Sequence, residues 1–263
     1  MANATAPRPL HAGKVPVVTL AFWVIKIVAT TLGETGGDVL SMTLKLGYLL
    51  STVFFFGVFA VAVFAQVSAK RFHPWLYWLV ILATTTAGTT LSDYLDRTAG
   101  LGYLGGAALL LTVLVSVLAA WKLTLGSVAV DHIEDRRAET FYWVTILVSN
   151  TLGTALGDFF ADNTWMVNGR ELVLGYAGGG LVFGGALAVI AALYVFTKVP
   201  RTILFWCAFV LTRPLGATVG DLLTKPGDHG GLALGTITAS TVLAAFLVVA
   251  IAATYRGRRT TPA

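Results

Sequence analysis

The chain has 263 residues, of which 56% are hydrophobic and 12% charged, with a formal net charge of +5 at pH 7. A soluble domain usually carries about 25% charged residues, so this composition excludes an ordinary soluble protein. The apolar residues occur in blocks of about 20, which is the length of a membrane-crossing helix. They do not alternate with polar residues in short segments, so a membrane β-barrel is excluded as well.

The blocks predict an all-α membrane protein with about eight transmembrane helices, in a single transmembrane domain that covers 1–263. In chain order, the predicted spans are 16–42, 46–68, 74–96, 100–123, 140–162, 172–196, 200–224 and 230–254. Residues 1–14 and 256–263 are predicted to be polar tails. We expect no cleavable signal peptide, because the first apolar run is too long and contains Lys26.

The basic residues predict the orientation, because lysine and arginine are enriched in cytoplasmic loops. Twelve of them lie on the side of both termini, and four lie on the opposite side, namely Lys45, Arg97, Arg170 and Lys225. We therefore expect a multi-pass protein of the bacterial inner membrane with cytoplasmic N- and C-termini. The positive charge then reflects topology, and no nucleic-acid partner is expected.

An internal repeat accounts for most of the chain. The odd-numbered helices align without a gap on a glycine. A tryptophan stands ten residues before this glycine, and an aspartate stands five residues after it. The aligned residues are Trp23, Gly33 and Asp38; Trp78, Gly88 and Asp93; Trp143, Gly153 and Asp158; and Trp206, Gly216 and Asp221. The first three even-numbered helices open with Leu-Gly-Tyr. The sequence thus predicts four parallel two-helix repeats, at 15–69, 70–124, 138–197 and 198–255, around a polar centre.

Each odd-numbered helix carries a polar stripe on one face, which ends in the repeated aspartate. Its polar members are Lys26, Thr30, Glu34 and Asp38; Thr85, Thr89 and Asp93; Asn150, Thr154 and Asp158; and Arg213 and Asp221. A charged side chain at the bilayer centre costs at least about 2.5–3.5 kcal/mol. We therefore expect the stripes to face one another or water, where they form a polar pathway.

These residues allow more than one interpretation. The aspartates are either buried ligands or caps at the outer interface. Lys26 and Arg213 either form ion pairs that lock the helices, for instance Arg213 with Glu34 or Asp38, or form pairs that open when a cation competes. The glycines either loosen the helices and present carbonyl groups to a ligand, or allow close packing. The tryptophans are predicted to be anchors at the membrane interface.

The donors in the stripes are oxygen atoms, which suit a hard cation: Mn²⁺, Mg²⁺, Ca²⁺, Na⁺ or a proton. Glu34 and Asp38 are the predicted metal ligands. Asp93, Asp158 and Asp221 are predicted to bind a cation or proton with them, and Gly33, Gly88, Gly153 and Gly216 to loosen the helices. The expected partners are the lipid bilayer and a small inorganic cation. No cofactor beyond a bound metal cation is expected, and the oligomeric state stays open.

The stretch KVPVVTLAFWVIKIVATTLGETGGDVLSMT at residues 14–43 is the most characteristic part of the chain. With the repeated pattern, it resembles a family of bacterial membrane proteins built from repeats of a domain of unknown function. The resemblance covers nearly the whole chain and implies a multi-pass inner-membrane protein, without a known activity.

Four functions are compatible with these features. We expect a non-enzymatic transporter for a hard cation, in which protonation of Glu34 or Asp38 releases the ion. A channel with a ring of aspartates is the second function, although Lys26 and Arg213 would repel a cation in its pore. An intramembrane hydrolase would need two opposed aspartates, and four equivalent copies fit this poorly. The fourth is a non-transporting assembly or sensor subunit.

Overall fold

A computed structural model describes residues 14–130, 133, 135–167, 170–227 and 230–256. These residues form eight α-helices and a two-stranded hairpin. In chain order they are α1 (Leu20–Asp38), α2 (Gly47–Ser68), α3 (Pro74–Asp93), α4 (Gly102–Leu125), α5 (Arg136–Asp162), β1 (Thr164–Val167), β2 (Arg170–Val173), α6 (Gly175–Phe196), α7 (Arg201–Thr224) and α8 (Thr236–Arg256). Each helix corresponds to one predicted span. Of the predicted tails, 1–13 and 257–263 lie outside the described residues.

The described secondary structure departs from the prediction in two places. First, α1 and α3 continue directly beyond their aspartates as single π-helical segments, Val39–Thr43 and Tyr94–Thr98. Second, β1 and β2 form an antiparallel hairpin in which Thr164 is paired with Val173. The sequence did not predict this hairpin, because strands of four residues carry too little periodicity to be recognised.

Six of the described helices, α2 and α4 to α8, are long and apolar enough to cross a membrane. The remaining two, α1 and α3, carry polar stripes, and α1 includes Lys26, Glu34 and Asp38. Both are largely buried inside the protein. Their polar side chains therefore contact protein instead of lipid. By the length and composition of its helices, the molecule is a multi-pass membrane protein.

The four odd-numbered helices form an inner ring. Helix α1 packs on α3, α3 on α5, α5 on α7, and α7 returns to α1. The four repeated aspartates lie at one end of this ring, so the inner helices all run in the same direction.

Each even-numbered helix packs on the outside of the ring against the inner helix of the next repeat. Thus α2 packs on α3, α4 on α5, α6 on α7, and α8 on α1. The outward faces are strongly apolar, with side chains such as Val61, Phe64, Leu181, Phe196 and Val249 exposed. These faces suit contact with lipid. A repeat is therefore not a self-contained hairpin, because its second helix covers the neighbouring copy.

The repeated Leu-Gly-Tyr pattern marks a backbone turn at the start of the outer helices. Gly47, Gly102 and Gly175 have φ values of 74°, 64° and 62°. This left-handed conformation is easily adopted only by glycine. In the fourth repeat Gly235, with φ 77°, lies immediately before α8 and provides the same turn.

The repeated tryptophans are predicted to be interface anchors, but three of the four are buried, and Trp23 is partly buried against the same cluster. Trp78, Trp143 and Trp206 are buried in an aromatic cluster at the end of the ring opposite to the aspartates. There the Tyr77 and Tyr142 hydroxyl groups lie 2.6 Å apart. Tryptophan at this position fills the ring instead of facing the lipid headgroups, so the described side chains close this end.

Candidate functional site

The polar stripes converge inside the ring, where all their described members are buried. Asp38 and Asp93 are each 2% exposed, and Asp158 and Asp221 are each 4% exposed. Most threonine hydroxyl groups in the stripes donate to carbonyl groups of their own helix, as Thr30 does to Ile27. Such bonds satisfy a buried hydroxyl without water. The aspartates are therefore buried acids of the ring, and not solvated caps.

Lys225 joins the aspartates of the first and fourth repeats. This residue follows α7 directly, and its Nζ lies 2.6 Å from Asp38 Oδ2 and 3.3 Å from Asp221 Oδ1. Only the contact with Asp38 has hydrogen-bond geometry, so Asp221 Oδ1 is buried without a hydrogen-bond donor among the described residues. Met42 Sδ lies 3.5 Å from the same ammonium group.

Arg97 joins the aspartates of the second and third repeats in a similar way. Its Nε lies 3.4 Å from Asp93 Oδ1, and its Nη2 lies 3.2 Å from Asp158 Oδ2. The guanidinium group also donates to the Tyr48 hydroxyl at 3.0 Å. The rings of Tyr48 and Tyr103 lie beside it, with centroids 5.8 and 5.9 Å from its central carbon. The four aspartates are therefore held as two pairs, each with one basic residue.

Arg213 occupies the centre of the ring and is fully buried. Its Nη2 donates to Glu34 Oε2 and to Thr154 Oγ1, both at 2.7 Å, and also to Thr89 Oγ1. Its Nη1 donates to the Thr30 carbonyl at 3.3 Å. One side chain thus connects all four inner helices. Of the two predicted partners for Arg213, the structure brings Glu34 into contact.

Lys26 lies deeper in the ring, towards the aromatic cluster. Its Nζ is 3.3 Å from Asn150 Oδ1 and 4.2 Å from the centre of the Phe209 ring. Asn150 in turn donates to Thr84 Oγ1 at 2.9 Å. No carboxylate contact of Lys26 is found in the described chain, so the predicted locking ion pair is not formed by this residue.

Three carboxyl groups converge beside Arg213 and Lys225. One oxygen atom each of Glu34, Asp38 and Asp221 lies within 4.8 Å of the other two, and all three residues are buried. Glu34 and Asp38 come from α1, one helical turn apart, and Asp221 comes from the neighbouring α7. We name these three residues the acidic triad. The distances between the three oxygen atoms are compatible with a shared cation. Oxygen donors suit a hard cation.

The charges of this layer do not balance. Five buried carboxyl groups, those of the acidic triad and of Asp93 and Asp158, face three basic residues, Arg97, Arg213 and Lys225. The formal excess is two negative charges, or one if Lys26 is included. Buried charge without a partner is costly in a membrane protein. A bound cation or protons would remove this excess.

The charged form of Lys225 is favoured by its neighbours. Burial alone would lower the pKa of Lys225, but the Asp221 and Asp38 carboxylates outweigh this effect and raise the pKa above its usual value. The ammonium group of Lys225 therefore lies between two members of the acidic triad.

Arg97 and Lys225 are predicted to lie in outer loops, but the structure brings both against the buried aspartates. Each follows its aspartate by four residues, which is the spacing of neighbours on a helix. The corresponding residues in the first and third repeats are Met42 and Asp162. This alternation of basic and non-basic residues was a signal in the sequence, and it could have indicated the pairing of the aspartates.

The glycines predicted to loosen the helices do not do so. Gly33, Gly88, Gly153 and Gly216 all lie within regular α-helix. A Cβ atom at Gly33, Gly153 or Gly216 would collide with the next inner helix, and one at Gly88 would lie tightly against it, 3.0 Å from the Thr151 backbone nitrogen. The glycines therefore allow close helix contact, the second of the two interpretations. Helical geometry changes instead in the π-helical segments beyond Asp38 and Asp93.

The fold and the site define a repeat-built helical membrane protein with a buried, acid-rich centre. The chain belongs to the family described as Repeat of Unknown Function (DUF347), which matches residues 21–72, 76–126, 141–199 and 204–260. One match falls in each of the four repeats, as the resemblance in the sequence suggested. Comparison with curated proteins and with solved structures gave no match.

Proposed function

We propose that this protein is a carrier for a hard cation in the bacterial inner membrane, with the acidic triad as its cation site. The observation that carries the proposal is the convergence of Glu34, Asp38 and Asp221 oxygen atoms within 4.8 Å inside a buried ring. Carboxylate ligands of this kind suit Mn²⁺, Mg²⁺, Ca²⁺ or Na⁺. The formal negative excess of the same layer favours cation binding, and protons would compete for the same carboxylates.

The accessibility of the two ends supports a carrier with alternating access. Basic side chains at the acidic end reach solvent, with Lys225 16% and Arg97 33% exposed. At the other end, the aromatic cluster and Ile133 fill the ring. Together with the excess of basic residues on the side of the termini, this supports an orientation with the acidic triad towards the periplasm and the closed end towards the cytoplasm. All eight helices would then cross the membrane as four paired repeats.

The position of Arg213 argues against a simple channel. Its guanidinium group contacts residues of the other three inner helices, Glu34, Thr89 and Thr154, in the middle of the ring. A cation that follows the axis would meet this fixed positive charge and then Lys26. Passage therefore requires a change of conformation, which is the property of a carrier.

One observation favours a second candidate function, a non-transporting assembly subunit. Each repeated aspartate and Glu34 already has a basic residue within 3.4 Å. If these ion pairs only hold the helices together, their loss should lower stability without affecting the response to any cation. The two functions are therefore separable by experiment.

We would measure the melting temperature of the purified protein in detergent against Mn²⁺, Mg²⁺, Ca²⁺, Na⁺ and pH. A ligand that binds the folded state stabilises it by about 2.7 kcal/mol at 100 times its dissociation constant. We expect one cation to raise the melting temperature selectively, and Glu34→Gln and Asp38→Asn to abolish that rise.

Glu139→Gln is the matched control for these variants. Glu139 is also buried and paired with a lysine, Lys14 at 2.8 Å, but it lies at the aromatic end of the protein. This variant should melt lower and keep the response to the cation. If no cation stabilises the wild type, or if all three variants respond like the wild type, the carrier proposal is wrong.

A further inference from the structure

The two basic residues that hold the aspartate pairs are related by the repeat but are bound differently. Arg97 is fixed by two carboxylates, by the Tyr48 hydroxyl and by two tyrosine rings. Among the described residues, the ammonium group of Lys225 contacts two carboxylates and Met42 Sδ, while its backbone is hydrogen-bonded to Asp221 and Ala233. The charged group of Lys225 therefore has fewer partners than that of Arg97.

The surroundings of Lys225 indicate that its ammonium group does not satisfy the site fully. Asp221 Oδ1 is buried and accepts no hydrogen bond from the residues that the structure describes, although Lys225 Nζ lies 3.3 Å away. An ammonium group has three donors on a flexible stem, so it can approach one carboxylate closely and leave the other incompletely paired. The unpaired oxygen points to a ligand that could bind both carboxylates at once.

The position of Lys225 in the chain would allow it to move. Its side chain is 16% exposed and extends from the first residue after α7. The following residues Pro226 and Gly227 are exposed. Withdrawal of the ammonium group from the acidic triad to water would need rotation of its own side chain only.

We propose that Lys225 is a tethered cation that occupies the acidic triad until a divalent metal ion displaces it. This inference rests on the proposed function and adds the class of substrate. With Lys225 withdrawn, the triad itself faces Arg213 alone, and the formal excess of the whole layer rises to three negative charges, or two if Lys26 is included. A divalent cation offsets twice as much of this charge as Na⁺ does. Release of the metal is favoured in turn when Lys225 returns.

The test measures Mn²⁺ binding to the full-length protein in detergent by titration calorimetry. Lys225→Met removes the competitor, so Mn²⁺ should bind about tenfold more tightly than to the wild type, although the metal-free protein melts lower. Lys225→Arg keeps the charge and adds a planar group that can bind both carboxylates. It should fold stably and bind Mn²⁺ about tenfold more weakly.

Lys14→Met and Lys14→Arg are the matched controls. Lys14 forms a similar half-buried pair with Glu139, at 2.8 Å and with 14% of the lysine side chain exposed, at the other end of the protein. Both variants should bind Mn²⁺ like the wild type. If Lys225→Met does not fold, the weaker binding expected for Lys225→Arg decides the question.

The outcomes separate this inference from the proposed function. Mn²⁺ binding that is equal in the wild type and both Lys225 variants would overturn the role of Lys225 and leave the cation site intact. Selective binding of Na⁺ by the wild type would overturn the divalent substrate. Absence of binding for every tested cation, in wild type and variants, would overturn both proposals.

Discussion

Arg213 is the residue on which the centre of the molecule depends. It is fully buried and donates to side chains of the other three inner helices, including the only carboxylate in its contacts among the described residues, that of Glu34. A buried ion pair contributes little when compared with an apolar pair, but removal of one partner leaves an isolated buried charge. Substitution of Arg213 or Glu34 alone should therefore lower the stability more than substitution of both residues.

Arg213→Met should lower the free energy of unfolding by about 3–5 kcal/mol, because Glu34 is left buried without its cation. The double variant Arg213→Met with Glu34→Gln should recover a part of this loss, since no unpaired charge remains. Thermal denaturation in detergent measures both variants. Equal melting temperatures for the wild type and Arg213→Met would show that the ion pair does not stabilise the ring.

At the scale of single residues, the sequence predicted the acids well and their partners poorly. The repeat identified Asp38, Asp93, Asp158 and Asp221, and the structure brings all of them to one end of the ring. Arg97 and Lys225 were assigned to loops, because a basic residue near a predicted helix end usually reaches solvent. The spacing of four residues indicates the aspartate of the same repeat as one partner, but the second partner, Asp158 for Arg97 and Asp38 for Lys225, belongs to another repeat and depends on the folded structure.

At the scale of the helices, the repeated glycines set the distance between inner neighbours. A Cβ atom at Gly216 would overlap Thr30 Oγ1 and lie 2.9 Å from the Thr30 carbonyl carbon. A Cβ atom at Gly57 of α2 would meet nothing within 4 Å. Glycine is thus required where inner helices touch, and it is not required on the outer surface.

Gly216→Ala should destabilise the protein by about 1–3 kcal/mol, as an added methyl group does in a closely packed core. Gly57→Ala is the matched control and should be neutral or stabilise the protein by up to about 1 kcal/mol, because alanine favours helix. Melting temperatures in the same detergent give the comparison. Similar changes for the two variants would contradict the packing role of Gly216.

The helices themselves were largely predictable, but their arrangement was not. Spans follow from apolar length, and the described helices α2 and α7 begin and end within about one residue of their predicted limits. Periodicity cannot show, however, that α2 packs on α3 of the next repeat. That choice depends on the shape of both surfaces, which only the folded chain defines.

At the scale of the whole molecule, this packing closes a ring of repeats. The last helix, α8, covers the first, α1, as each earlier outer helix covers the inner helix that follows it. A direct contact between them is the hydrogen bond between Ser240 Oγ and Thr35 Oγ1, at 2.8 Å. The first and the last helix are thus joined by non-covalent contacts, which close the ring between the first and fourth repeats. The same two repeats supply the acidic triad.

A disulfide should be able to lock this closure. Cysteines at Thr35 and Ser240, with Cys207 replaced by serine, should form an intramolecular crosslink that changes the mobility on a non-reducing gel. Cysteines at Thr35 and Thr241 are the control, because Thr241 is exposed and bonds to Ile237 of its own helix. Crosslinking of the control pair but not of the first pair would contradict the observed contact of α8 with α1.

Transport of a cation through the acidic triad is the central claim, and its direct test is Mn²⁺ uptake into liposomes that contain the purified protein. We expect saturable uptake by the wild type, a loss of at least about tenfold in Asp38→Asn, and retention in Glu139→Gln. Uptake should also be inhibited by other cations that stabilise the protein. Equal uptake by the wild type and Asp38→Asn, or no uptake of any tested cation, would contradict the claim.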